Sequence, residues 1–175
     1  RSRPPAPPRV RPVDIGERIR LEVERTIQRS IKGVEYFASS APPVGATPKD
    51  VIFTKGPLNL YHYRPVAEEL YRVPILIVMA TTNRGYVLDM TPGQSLVEYL
   101  LKLGYDVYMA DWNSPRPDEK NLGFEHYVLD FIPAAVARVQ EDSGETDLSI
   151  IGYCFGGVLS TLYAATHAGG PMKNL

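Results

Sequence analysis

Apolar residues in this chain fall first at helical and then at strand spacing, with the change near Pro48. Ile15, Ile19, Val23, Ile27, Ile31 and Val34 recur at steps of three and four, separated by arginine and glutamate. That spacing predicts an amphipathic helix running to Lys32. Asp14 and Glu17 carry the signature of a capping box at its start. Steps of four precess around a helix of 3.6 residues per turn, so the stripe winds, as suits a helix lying across a curved surface or a partner. From Lys49 the pattern is that of strands. Val51–Thr54 and Leu58–Tyr63 flank Lys55-Gly56-Pro57 and predict a hairpin. Pro65–Arg72 is a connection of no definite form. Pro74–Ala80 is a continuous apolar run of strand length, the mark of a strand covered on both faces. Thr91-Pro-Gly-Gln94 reads as a second capping box with proline at the first helical position, opening a helix that ends at Leu103 with Gly104 as its stop. Tyr105–Ala110 reads as a strand and Asp111–Gly123 as a polar loop. Phe124–Glu141 has helical periodicity, which Pro133 is expected to kink or divide. Leu148–Tyr153 reads as a strand and Gly156–His167 as a helix. Strand and helix alternate three times after the hairpin, which implies an α/β fold: a mostly parallel sheet with helices on both faces. There is no internal repeat.

Composition narrows the class of protein. With 19 basic and 20 acidic residues the charges nearly cancel, so nothing overall points to nucleic acid or an anionic membrane. One cysteine cannot form an internal disulfide, which fits a reducing, cytoplasmic setting. No apolar run reaches the ~18 residues of a membrane span, and nothing reads as a signal peptide. Residues 1–13 carry four arginines among five prolines and are expected to form an extended, disordered leader. Residues 14–47 then hold the amphipathic helix and a linker, Ala41-Pro-Pro-Val-Gly45, and residues 48–175 the main domain. The chain begins at Arg1 rather than methionine and stops at Leu175 soon after a helix, so it reads as part of a longer protein.

The chemistry concentrates at Leu148–Gly157, where an apolar strand runs into Gly-x-Cys-x-Gly-Gly and a helical pattern follows at once. That is the layout of a nucleophile elbow, in which small neighbours allow a sharp turn that presents one side chain above the sheet. Here the presented residue is Cys154. The N–H groups opening the next helix point at it and favour negative charge there. In an elbow of this kind one oxyanion donor is the N–H after the nucleophile, here Phe155. A second comes from the loop after an earlier central strand, for which Thr82 is the candidate. The bland alternative is an ordinary buried cysteine.

Tyr61-x-Tyr-Arg-Pro65, Thr82-Asn-Arg-Gly-Tyr-Val-Leu-Asp89, Ser95-Leu-Val-Glu-Tyr99, Gly104-Tyr-Asp-Val-Tyr108, Asp111-Trp112 and Gly152-x-Cys-x-Gly-Gly157 together resemble the polyhydroxyalkanoate synthases, over residues 48–175. The cysteine box alone is shared with dienelactone hydrolases; the Asn-Arg-x-Tyr-x-x-Asp segment and the Asp-Trp pair decide the choice. The resemblance implies the N-terminal part of an α/β-hydrolase core that polymerises (R)-3-hydroxyacyl groups from their coenzyme A thioesters. It implies a Cys–Asp–His triad with Cys154 as nucleophile, the aspartate and histidine following the elbow beyond Leu175. It implies no cofactor, the thioester being substrate, and no metal. Its partners would be the acyl-CoA, the growing polyester, and either a second copy of the chain or a helical second subunit, at a polyester granule surface in the cytoplasm. The short leader is similar to that of the synthase type that works with a second subunit. Residues 1–175 alone are expected to be inactive and prone to aggregate, the last strand having an unpaired apolar flank.

The remaining candidates read as structural. His62 lies in a hairpin strand and reads as surface or half-buried. His126 sits one turn into a helix, from which it could approach the cleft. His167 suits a helix C-terminus. Asp111 and Asp118 precede the elbow, whereas the family's orienting acid follows it. Asp89 reads as a loop anchor and Ser160 as a helix-interior residue. Two other functions remain open: a cysteine hydrolase of the same fold acting on a lactone or thioester, and a non-catalytic assembly module.

Overall fold

A computed structural model describes residues 15–38 and 44–175. The leader, Asp14 of the capping box and the first three residues of the Ala41–Gly45 linker lie outside the described residues. The described residues divide into two compact units, one holding residues 15–38 and the other residues 44–175.

In the first unit, helix α1 spans Ile15–Ala38. Ile19, Val23 and Ile27 of its apolar stripe are exposed. The helix continues past Lys32, where the periodicity was expected to end. Gly33 costs about 1 kcal/mol relative to alanine inside a helix, which is too little to stop one that needs no new nucleus. No proline follows before Pro42.

The second unit is built on a six-stranded sheet. The hairpin strands β1 (Lys49–Lys55) and β2 (Leu58–Tyr63) pair antiparallel, with an irregularity between Val51 and Phe53. The parallel strands are β3 (Ile75–Val78), β6 (Val107–Trp112), β7 (Leu148–Gly152) and β8 (Met172–Asn174). A separate two-stranded hairpin, β4 (Asp89–Thr91) and β5 (Gln94–Ser95), follows the loop after β3. The order across the main sheet is β1-β2-β6-β3-β7-β8. Central β3 pairs parallel with β6 on one side and β7 on the other, and all four of its residues are buried, as the continuous apolar run requires. β6 shows how the two faces are used. Tyr108 and Trp112 meet Asp142, Tyr127 and Phe131, whereas Met109 and Asp111 meet the loop after β3 around Gly85. Helices α2 (Leu96–Lys102), α4 (Ile132–Ser143) and α5 (Phe155–Thr166) complete the crossovers.

Three expectations are corrected. Thr91-Pro-Gly-Gln94 does not open a helix. Pro92-Gly93 turns the β4–β5 hairpin, with Gly93 at φ 79°, and α2 is capped by Ser95, whose side chain accepts the Glu98 N–H. Asp111 and Trp112 belong to β6 rather than to the loop, because Asn59 and Leu58 of β2 offer them antiparallel partners. Pro133 divides the helical run, as expected, but through a π-helical stretch rather than a break in the chain's helical path. A turn at Phe124–His126 (α3) passes into a π-helical stretch, Tyr127–Phe131, and then into α4. The Ile132 N–H reaches back to the carbonyl of Tyr127, five residues earlier, and this wider turn takes up a ring that would strike a carbonyl in a regular α-helix. Finally, the flank of β7 is bare only in part: β8 pairs with it at Leu148 and Ser149.

Candidate active site

β7 ends at Gly152, and two residues on, Cys154 serves as the N-cap of α5 with φ 55° and ψ −121°. It is the one non-glycine residue at positive φ among the described residues. Such a conformation costs on the order of 1–3 kcal/mol and persists only where the surroundings enforce it. They do so through backbone. The Tyr153 N–H donates to Val78 O at 2.9 Å, Gly156 N–H to Tyr153 O at 2.9 Å, and Gly157 N–H to Cys154 O at 2.9 Å. The glycines permit this closeness. A Cβ on Gly156 would lie 2.1 Å from Val78 O, and one on Gly152 would lie 2.4 Å from Gly157 Cα. The result is a strand–turn–helix in which the Cys154 side chain is exposed at the carboxyl edge of the parallel strands. This is where open α/β sheets bind ligands.

Phe155 opens α5, so its N–H has no carbonyl to meet within the helix. Thr82 lies exposed in a turn closed by Asn83 N–H to Ala80 O at 3.2 Å. The two candidate oxyanion segments are joined through the end of β3, since Gly156 packs against Val78 and Met79, three residues before Thr82. An aromatic neighbour had no signal in the sequence. Phe124, 61% exposed, stands 5.3 Å from the Phe155 ring and so flanks the elbow.

The histidines take structural positions. His62 pairs with Tyr108 near the start of β6, at the amino edge of the parallel strands and away from the elbow. Its Nε2 lies 2.7 Å from Asp106 Oδ1, its Nδ1 3.0 Å from Asp142 Oδ2, and its ring stacks on Tyr108. Burial opposes its charge, but the two carboxylates outweigh burial and raise its pKa above the ordinary histidine value. His126 accepts the Gly123 N–H at Nδ1 (3.0 Å), holding the first turn of α3. His167 closes α5, with Nδ1 3.1 Å from Tyr163 O and its ring stacked on Tyr163.

The acids and Ser160 are structural as well. Asp89 is buried and accepts hydrogen bonds from Thr47 Oγ1, Thr47 N and Ser95 Oγ, which anchors its loop. Asp118 sits in the exposed turn Pro117–Glu119 beside Arg116. Ser160 is buried and donates to Gly156 O at 2.7 Å. Among the described residues no cluster of three or more histidines, cysteines or acids is placed to hold a metal, and no helix is long and apolar enough to cross a membrane.

Known proteins resemble this chain in sequence and in fold. A family model for the poly-beta-hydroxybutyrate polymerase (PhaC) N-terminus matches residues 30–100, and one for the alpha/beta hydrolase fold matches residues 74–175. The chain is 43% identical over 122 residues to the poly(3-hydroxyalkanoate) polymerase subunit PhaC of Haloferax mediterranei, covering 70% of this chain and 25% of that protein. It is 32% identical over 160 residues to the subunit of the same name from Allochromatium vinosum, covering 89% and 45% of the two. For the Thiocystis violacea subunit the values are 31% over 169 residues, 95% and 47%. The chain thus spans a quarter to just under half of these relatives. Among solved structures, a probable hydrolytic enzyme from Pseudomonas aeruginosa PAO1 superposes with a TM-score of 0.50 at 22% identity, over 74% of this chain and 43% of that one. A lipase candidate from Sulfolobus solfataricus gives 0.51 at 18% identity, over 76% and 45%. These two speak for the fold alone.

Proposed function

Because this chain belongs to the polyhydroxyalkanoate synthase family, on an α/β-hydrolase fold, we propose that the protein polymerises (R)-3-hydroxyacyl groups drawn from coenzyme A thioesters, with Cys154 carrying each acyl group in turn. The observation that carries this reading is exposed Cys154 on a strained N-cap, in a turn closed by backbone hydrogen bonds.

In the proposed reaction the Cys154 sulfur attacks the thioester carbonyl carbon and the carbonyl oxygen takes up the displaced electron pair. The thiol proton passes to a histidine that follows the elbow in sequence and is oriented by an aspartate, as in the family pattern. The N–H groups of Phe155 and the Thr82 segment face the oxyanion. Each such donor is typically worth about 2.7–4 kcal/mol in the transition state. Collapse of the tetrahedral species breaks the bond to coenzyme A, which leaves as its thiol after taking up a proton. The hydroxyl of another acyl unit then gives its proton to the same histidine and attacks the Cys154 thioester carbonyl, forming the ester as the carbon–sulfur bond breaks and the proton returns to the sulfur. Cysteine suits this cycle because a thiolate is a strong nucleophile and exchange between two thioesters is nearly balanced in energy. A second copy or a helical subunit, and a polyester granule surface in the cytoplasm, are the partners that go with this reading.

The test is full-length protein incubated with radiolabelled 3-hydroxybutyryl-CoA. The expected result is label on the protein, none on Cys154→Ala, and insoluble polyester as product. Equal labelling of Cys154→Ala would remove the cysteine from the mechanism. Free hydroxy acid without polyester would make the protein a hydrolase, and no turnover at all would favour an assembly module.

A further inference from the structure

The two motifs that set this chain apart, Asn83-Arg-Gly85 and Asp111-Trp112, are 26 to 29 residues apart along the chain yet bonded to each other in space. Asp111 Oδ2 accepts the Gly85 N–H at 3.0 Å, while its Oδ1 accepts the Trp112 N–H at 2.9 Å. Arg84 Nη1 donates to Trp112 O at 2.8 Å and to Asn113 Oδ1 at 3.3 Å. The Trp112 indole Nε1–H donates to Met79 O at 2.7 Å, and this bond is buried. Gly85 is itself buried, and a Cβ there would lie 2.5 Å from Met109 Sδ and 3.1 Å from Asp111 Oδ2, so a glycine is what lets the carboxylate approach. The segment Met79–Gly85 is thus fastened to the end of β6 at both of its ends.

Between those ends lies Thr82. Met79 also meets the elbow, since a Cβ on Gly156 would lie 2.8 Å from Met79 O. One short segment therefore touches the turn that presents Cys154 and carries the expected oxyanion donor, and the end of β6 fixes where it runs.

We infer that Asp111, Arg84 and Trp112 are positioning residues that set the loop after β3, and with it the oxyanion donor of the Thr82 segment, relative to Cys154. This rests on the acyl-transfer reading of Cys154. Misplacing a donor by an ångström weakens a transition state whose charge sits on one oxygen, while leaving the sulfur as exposed as before.

That difference supplies the experiment. Attack on a thioester builds an oxyanion; displacement of iodide from iodoacetamide does not. Both rates are measured on Cys154 in full-length protein for the wild type, Asp111→Ala and Arg84→Ala. Acylation by 3-hydroxybutyryl-CoA is expected to slow by between about tenfold and about a hundredfold in each variant, with alkylation unchanged within about twofold. Arg84→Lys, which keeps the charge and a donor on a long side chain, is expected to recover most of the acylation rate. Unchanged acylation in either variant, or acylation and alkylation falling together, overturns the inference. Should Asp111→Ala fail to fold, the Arg84 pair decides alone. If the wild type is alkylated but never acylated, the acyl-transfer reading falls first and takes this inference with it.

Discussion

At Cys154 the demand for a left-handed backbone falls on the cysteine itself, and the glycines around it serve a different purpose. Gly152 and Gly156 are not among the residues at positive φ; they are glycine because backbone passes where a Cβ would stand. Gly144 is the reverse, with φ 74° at the end of α4 and nothing within 4 Å of the added carbon. The two kinds of glycine predict different losses. Gly156→Ala drives carbon into the Val78 carbonyl, a backbone atom that cannot swing aside, and should cost about 3 kcal/mol or more. Gly144→Ala pays only for its conformation, about 1 kcal/mol. Urea midpoints of the two variants check this, and equal losses would mean that the elbow does not wedge against β3. Gly-x-Cys-x-Gly-Gly made the turn legible as a pattern of small residues. Which residue bends and which merely yields space depends on the neighbouring strand, and the motif does not contain it.

At the level of elements, sequence reasoning succeeded where a segment's own periodicity decides and failed where a partner does. The buried run of β3 and the Gly104 stop after α2, at φ 86°, follow from local chemistry. The start of α2 does not, because Thr91 and Ser95 both precede acceptable first turns. Ser95 prevails because its hydroxyl, besides accepting the Glu98 N–H, donates to buried Asp89 at 2.7 Å. Ser95→Ala should therefore lose a cap and also strip a buried carboxylate of one donor, for about 2 kcal/mol together. Thr91→Ala, at the position the sequence alone favours, should cost no more than about 0.5 kcal/mol. Thermal or urea unfolding of the pair distinguishes them, and a larger loss at Thr91 would return the cap to where the motif placed it. The extension of β6 through Asp111 and Trp112 failed to show for the same kind of reason: β2 supplies the partners.

Across the whole molecule the two edges of the sheet are put to different use. The carboxyl edge carries the elbow, which the sequence announced. The amino edge carries a charged clasp that it did not, since His62, Asp106 and Asp142 come from three separate segments. One imidazole there ties β2 to the start of β6 and the end of α4. The groups around it are Asp106 on the β6 side, Asp142 and Arg138 from α4, Tyr108 stacked on its ring, and Asp50 acting through space from β1. Burial pushes the Tyr108 hydroxyl well above its usual range, so it remains a donor to Asp142 (3.1 Å) throughout the neutral range. Arg138 stays charged beside Asp142, so His62 is the group of this set that changes charge near neutrality. Its pKa is higher folded than unfolded. A group of that sign gives its full stabilisation below the unfolded value, near 6.5, and loses it as pH rises through the folded value. The protein should therefore unfold at a lower temperature or urea concentration at about pH 8.5 than at about pH 6, beyond any trend shared by a His62→Gln variant. Asp106→Asn, which keeps the shape and removes one of the two charges, should flatten part of that slope. Parallel pH profiles for wild type and His62→Gln would mean that the clasp adds no stability when charged, and that β2 is held to α4 by packing alone.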